Sequence, residues 1–260
     1  YRRTKGQCVI AGIDADETAV SIARERLELL GAKPKLAVLN FRNIEKVLDL
    51  LSINAPTKIL FDLGWSAMQV EESGRGFSFL RDEPLVMTLA KPEEEEVTAY
   101  TVVNFWKEET LADVIYGYGE EKHARRIARR IVEARGEKPI ESSLELSEIV
   151  KSAVPVWYRF GRIHPATRTF QAIRIAVNDE LQSLESGLQK GFEMLKAEGR
   201  IALISFHSLE DRIVKKFFRE KAEQGFGELI NKKPITASTE ELAENPRSRS
   251  AKLRIIRKIQ

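Results

Sequence analysis

Three strand ends in this chain carry side chains able to do chemistry. Lys58-Ile-Leu-Phe-Asp62-Leu-Gly64 is a short apolar run that delivers an acid and a glycine to one edge, followed by a polar cluster reaching Gln69. In an open parallel sheet, ligands sit beyond the carboxyl ends of the strands, so chemistry is expected there. Asp62 can accept a hydrogen bond from an amine, and Gly64 lets backbone approach a ligand closely; a solvated strand-end turn is the alternative. Asp14 follows the apolar run Cys8–Ile13 and precedes a helical pattern. From there an acid either accepts hydrogen bonds from a ribose diol or acts as a second cap beside Asp16. Ser205 and His207 follow another apolar run, but they are too close in sequence for a nucleophile and its base, with no G-x-S-x-G turn and no third acid. A structural or substrate-orienting role outranks nucleophilic catalysis. His123, His164 and His207 are scattered and Cys8 is the only cysteine, so no metal site is expected and no disulfide framework exists.

The second kind of chemistry is recognition. Trp157 to Arg174 contains no acid and interleaves aromatics with arginines, a composition suited to stacking on bases and pairing with phosphates. Asn245 to the end of the chain is likewise acid-free, and Glu120 to Arg135 surrounds an apolar stripe with Lys122, Arg125, Arg126, Arg129, Arg130 and Arg135. One such stripe is ordinarily a solvated face; three together favour a nucleic-acid partner. The overall charge of +3 on 260 residues is too small to make that case by itself.

The elements that must position these residues follow from hydrophobic period. Cys8–Ile13, Lys35–Leu39 and Lys58–Phe61 read as buried strands alternating with helices, the first helix capped by Asp16, stopped by Gly31 and carrying Ala19, Ile22, Ala23, Leu27 and Leu30 on one face. That alternation predicts a parallel, doubly wound α/β sheet. Between Glu71 and Ile163 the period becomes helical, which predicts a helical insertion, with Glu93–Glu96 as a solvated helix start. One long helix is expected from Thr167 to Leu195, then a strand Ile201–Ser205, a helix Leu209–Lys221 capped by Ser208 with Asp211, and two strands near Leu229 and over Leu253–Ile259 forming an antiparallel edge. The expected division is 1–71 and 167–260 for the sheet and 72–166 for the insertion. No apolar run reaches the ~20 residues of a membrane span. Cys8 inside an apolar run is expected to be a buried, reduced thiol, which suits a cytosolic compartment.

Several motifs together carry a resemblance: Gly12-Ile13-Asp14-Ala15-Asp16, Asp62-Leu63-Gly64, Arg75-Gly76-Phe77-Ser78-Phe79, Tyr118-Gly119-Glu120-Glu121, His164 to Gln171, Val177-Asn178-Asp179-Glu180-Leu181, Ser205 to Arg212, and Asn245 to Ser250. They resemble the bacterial family of 16S rRNA cytosine N4-methyltransferases, also called ribosomal RNA small subunit methyltransferase H, over nearly the whole chain. The resemblance implies a Rossmann-like class I methyltransferase sheet with an inserted helical substrate-recognition domain, S-adenosyl-L-methionine as cofactor, and 16S rRNA of the small ribosomal subunit as partner, with no membrane and no metal; a homodimer is left open. It implies that Asp14 contacts the ribose, Phe41 lies beside the adenine, and Asp62 and Gln69 stand near the reacting end, with Asp62 the catalytic candidate. Arg168, Ser205, His207, Arg247 and Arg249 are the expected RNA contacts.

Three departures from the family pattern stand out. The Gly-Gly-His turn after the family's first strand has no counterpart, so that strand and its loop are expected to be absent, leaving the strands ending at Asp14 and Asp62 without a shared neighbour. The 260 residues alone are therefore expected to bind the cofactor poorly and to aggregate. Trp65-Ser66-Ala67-Met68-Gln69 replaces Val-Ser-Ser-Pro-Gln, and Pro84-Leu85-Val86-Met87-Thr88-Leu89 replaces Pro-Leu-Asp-Met-Arg-Met. A rival reading is a non-catalytic RNA-binding protein without the cofactor loop. A nicotinamide-dependent oxidoreductase would share Asp14 but would explain neither basic segment.

Overall fold

The computed structural model describes residues 7–64, 73–90 and 97–260. Trp65, Gln69 and the acid run Glu93–Glu96 lie outside them. The chain divides into two compact units, 1–64 with 181–260 and 65–180.

In the first unit, β1 (Ala11–Asp14) pairs in parallel with β2 (Lys35–Val38), Asp14 opposite Val38, through α1 (Glu17–Leu29). Asp16 caps α1 by accepting the Thr18 N–H at 2.9 Å, and Gly31 takes a positive φ just past its end. After a 3-10 segment (Phe41–Lys46) and α2 (Val47–Leu50), β3 (Lys58–Asp62) begins a second sheet. As expected for strands left without a shared neighbour, the strands ending at Asp14 and Asp62 share no ladder, and the α/β unit carries two sheets among the described residues. Cys8 does not sit in a buried strand: it is exposed, as is Val9, because β1 starts only at Ala11.

The second unit is helical: α3 (Ala99–Phe105), α4 (Glu108–Gly119), α5 (Ala124–Glu137), α6 (Ser143–Ala153), α7 (Val156–Arg159) and α8 (Thr167–Asn178). Ala124, Ile127, Ala128 and Ile131 are buried along α5, the stripe its period predicts, and they join Leu111, Ile115, Leu146, Phe170 and Ile173 in one core. The helix expected from Glu120 starts four residues later, because Glu120 adopts the left-handed conformation that ends α4.

The single helix expected from Thr167 to Leu195 is also broken. Asp179 is left-handed and ends α8, and α9 (Glu180–Met194) begins at the next residue. The break is held from both sides. Arg174 pairs bidentately with Glu180 at 2.6 and 2.8 Å, and Asn178 bonds the backbone of Met87 and Leu89. The hydrophobic period runs through Asp179 undisturbed, which is why periodicity alone predicts continuity. The helical unit ends at Glu180.

From Leu181 the chain belongs to the first unit. β4 (Arg200–Ser205) pairs in parallel with β3, α10 (Ser208–Glu223) follows, and β5 (Gly227–Leu229), β6 (Ile235–Thr236), α11 (Thr239–Glu244), a 3-10 turn (Pro246–Ser250) and β7 (Lys252–Lys258) complete it. The strand order is β3-β4-β7-β5, with β7 antiparallel to both neighbours and β6 also on β7. Phe61, Leu184, Leu188, Phe192, Ile201, Leu203, Val214, Phe218 and Ile256 form its core. α9 meets this core through two glycines. A Cβ on Gly187 would lie 2.7 Å from Phe41 Cδ2 and 3.0 Å from the Phe41 carbonyl; one on Gly191 would lie 3.1 Å from Phe61 Cζ. Phe41 and Phe61 are themselves edge-to-face at 6.0 Å, so α9, the 3-10 segment and β3 share one contact.

Gly187→Ala is therefore expected to lower stability by about 1–3 kcal/mol, because the 3-10 backbone cannot yield as a side-chain tip can. Gly191→Ala, which meets only the end of a ring, is expected to cost less. Urea unfolding of the two variants checks the order.

Candidate active site

The parallel register of β3 with β4 sets Asp62 opposite Ile204, and the Leu63 N–H donates to the Ile204 carbonyl at 3.1 Å. Asp62-Leu63-Gly64 and Ser205-Phe206-His207 consequently leave the sheet side by side. Gly64 has φ +96°, and a Cβ there would touch the Phe206 ring at 3.4 Å, so glycine serves both the turn and the close aromatic neighbour. Solvent reaches Asp62, yet the surrounding protein desolvates its carboxyl group enough to raise its pKa. No hydrogen bond to that carboxylate occurs among the described residues.

Asp14 ends β1, in the other sheet of the same unit. Its Oδ1 accepts the Asp16 N–H at 2.8 Å, so it shapes the turn into α1 while Asp16 does the capping. Its pKa is raised, first by desolvation and further by the charge of Asp16, against the lowering effect of the Asp16 and Ala15 N–H groups. Phe41 is partly buried, its ring taken up edge-on by Phe61 and covered by Gly187.

The segment expected to contact RNA does more structural work than its sequence suggests. Ser205 is 1% exposed, at the end of β4. His207, and not Ser208, caps α10: its Nδ1 accepts the Glu210 N–H at 3.4 Å, while Glu210 Oε2 accepts the Phe206 and His207 N–H groups at 2.8 and 3.2 Å. His207 Nε2 comes within 3.2 Å of Glu210 Oε1 without hydrogen-bonding alignment. Asp211, expected in the cap, instead holds Arg254 at 2.7 and 3.2 Å and Lys252 at 3.1 Å. These cations lie in the acid-free tail read as a nucleic-acid surface, yet they are committed to tying α10 to β7. Sequence reasoning missed this cluster because its members are some forty residues apart; the His-x-x-Glu spacing of the capping box was the one local signal available. Arg247 and Arg249 do face solvent, flanking the buried Ser248 on their 3-10 turn.

In the helical unit, Arg168 on α8 donates to the Glu120 carbonyl at 3.0 Å, and Arg135 donates to the Val103 and Trp106 carbonyls at 2.7 Å each, a packing role. The structure thus brings together Asp62 and Ser205 with the His207 cap, and places Arg168 in the helical unit.

Acids at the carboxyl ends of parallel strands, one before a helix and one before a positive-φ glycine, define an α/β enzyme of the class that binds nucleotide-like cofactors. A family model described as the MraW methylase family matches residues 3–259, and the chain belongs to that family. The chain is 48% identical over 250 residues to a protein of Sulfurihydrogenibium sp. (strain YO3AOP1), covering 96% of this chain and 84% of that one. It is 48% identical over 250 residues, with the same coverage, to one of Persephonella marina, and 44% identical over 265 residues to one of Geobacter sp. (strain M21), again at 96% and 84%. Each of these relatives is named ribosomal RNA small subunit methyltransferase H. S-adenosylmethionine is the family's cofactor, and the donor set fits part of it: Asp14 has carboxylate capacity beyond its backbone N–H partners for a ribose diol, and Asp62 has no competing partner among the described residues.

The Asp211 cluster yields a test of the scaffold. Partial burial alone would raise the Asp211 pKa, but hydrogen bonds from Arg254 and Lys252 outweigh it and hold the carboxyl below its ordinary value. A depressed folded pKa contributes stability above the unfolded value of about 4, lost as pH falls through the folded value. Asp211→Asn is expected to cost about 2 kcal/mol or more at pH 7 and to flatten part of the acid-side loss, measured by denaturant unfolding between pH 7 and 3.

Proposed function

We propose that this protein methylates ribosomal RNA of the small subunit, transferring a methyl group to N4 of a cytidine in the decoding region, with Asp62 as the catalytic residue. The observation that carries the reading is Asp62 itself: a solvent-accessible acid at the carboxyl end of β3, beside the Ser205-Phe206 strand end, with no competing hydrogen bond among the described residues. The relatives' names support the RNA substrate.

S-adenosylmethionine, when bound, supplies an electrophilic methyl group. The protein's task is to make a poor nucleophile attack it. The cytosine amine shares its lone pair with the ring, so it must be oriented and relieved of a proton. In this reading an Asp62 carboxylate oxygen accepts one N4 hydrogen, turns the lone pair toward the methyl carbon, and takes the proton as the N–C bond forms and the C–S bond breaks. With cofactor bound, Asp14 would hold the ribose hydroxyls, Phe41 would border the adenine and Gln69 would assist at the reacting end; Arg168, Arg247 and Arg249 would bind RNA, with Ser205 and His207 shaping the strand end that the base approaches. The helical unit recognises the substrate.

The activity is tested by incubating the full-length protein with small subunits and labelled cofactor, then digesting the rRNA and identifying nucleosides by mass spectrometry. N4-methylcytidine is expected; label on a ring carbon or on ribose would refute the reading. Asp62→Asn should lower kcat about a hundredfold or more with little change in cofactor affinity. Because Asp62 must be ionised to accept the proton and its pKa is raised, kcat/KM of the native protein should fall as pH drops through that raised value. The Asn variant should lack that limb.

A further inference from the structure

Trp157 and Phe160 are 65% and 83% exposed, three residues apart across the short helix α7, and so share one side of it. Trp157 is held by neighbouring Lys122, His123 and Tyr158. Lys122 Nζ stands 5.0 Å from its ring centroid and 5.4 Å from that of Tyr158, and His123 meets both rings edge-on at 6.2 and 4.9 Å. Tyr158 anchors the group by donating its hydroxyl to Glu121 at 2.6 Å.

Lys122 leads into a helix start rich in positive charge. Arg125 and Arg126 occupy the first turn of α5, one turn on from Lys122, where the helix dipole is already positive and no acid is present. Later in the same helix Arg129 pairs with Glu108 and Arg130 with Glu133, whereas Lys122, Arg125 and Arg126 have no ion pair among the described residues. Glu121 does not compensate, since its carboxylate is buried and bonded to Tyr158 and the His123 N–H. Three cations at one helix start, one of them over the exposed Trp157 ring, are unfavourable alone and favourable with a polyanion that carries flat bases.

We propose that this face of the helical unit is a stacking site for single-stranded RNA flanking the target nucleotide, with bases on Trp157 and Phe160 and phosphates on Lys122, Arg125 and Arg126. The proposal rests on the rRNA methyltransferase reading and extends it to a surface with no part in the chemistry.

The test uses the full-length protein and a fluorescein-labelled single-stranded RNA, read by anisotropy, with steady-state methylation of small subunits alongside. Trp157→Ala should weaken RNA binding about tenfold and raise KM for RNA more than it lowers kcat, while Trp157→Phe retains most of the affinity. Arg125→Ala with Arg126→Ala should weaken binding and reduce its salt dependence by about one to two phosphate contacts. Cofactor binding and thermal unfolding serve as folding controls, and Phe160→Ala replaces Trp157→Ala if the latter fails to fold. Unchanged RNA affinity and KM in a folded Trp157 or Phe160 variant would overturn the proposal, as would binding of an acidic protein in place of RNA through the same residues. Wild type that binds RNA through Trp157 but never methylates it would sink the activity and leave the surface standing.

Discussion

The parallel ladder between β3 and β4 is the constraint on which the first unit depends. Its register puts Asp62 level with Ile204, so the chain leaves both strands at one height and Phe206 comes to rest on Gly64. A slip of β3 by one residue would turn Phe61 out of the core and Asp62 into it. The register is fixed on one side by Phe61 against Gly191 of α9 and on the other by β7, whose Arg254 and Lys252 are locked to Asp211 of α10. The proposed chemistry at Asp62 is thus supported by contacts that never approach it.

Two kinds of charge run through the molecule, and burial separates them. Arg254, Arg174 and Arg135 are consumed by structure, each donating to a carboxylate or to backbone carbonyls. Arg125, Arg126 and Arg249 stay on the surface. A basic stripe in the sequence mixes the two, so the acid-free tail overstates the positive surface. The acids divide as well. Asp211 is held ionised by its cations, whereas desolvation raises the pKa of Asp14 and Asp62.

What the sequence makes legible is local. The Asp16 cap, the Gly31 stop, the apolar stripe of α5 and the strand ending at Asp62 all rest on neighbours within a few residues, and all occur. What depends on distant partners is not legible. The helix break at Asp179 needs Arg174, Glu180 and the backbone of Met87 and Leu89; the fate of Asp211 needs β7; the cap on α10 shifts by one residue because Glu210 can reach back to two N–H groups at once. The family was legible because its motifs are short runs at the strand ends and helix junctions, where local sequence and chemistry coincide.

In the proposed reaction, cofactor and substrate meet where β1, β3 and β4 end. Amide hydrogen exchange of the full-length protein with and without S-adenosylmethionine tests it most directly. Added protection is expected to concentrate at 14–16, at 62–64 and at 205–207, with little change in α5 and α7. Protection confined to the helical unit, with those strand ends unchanged, would contradict it.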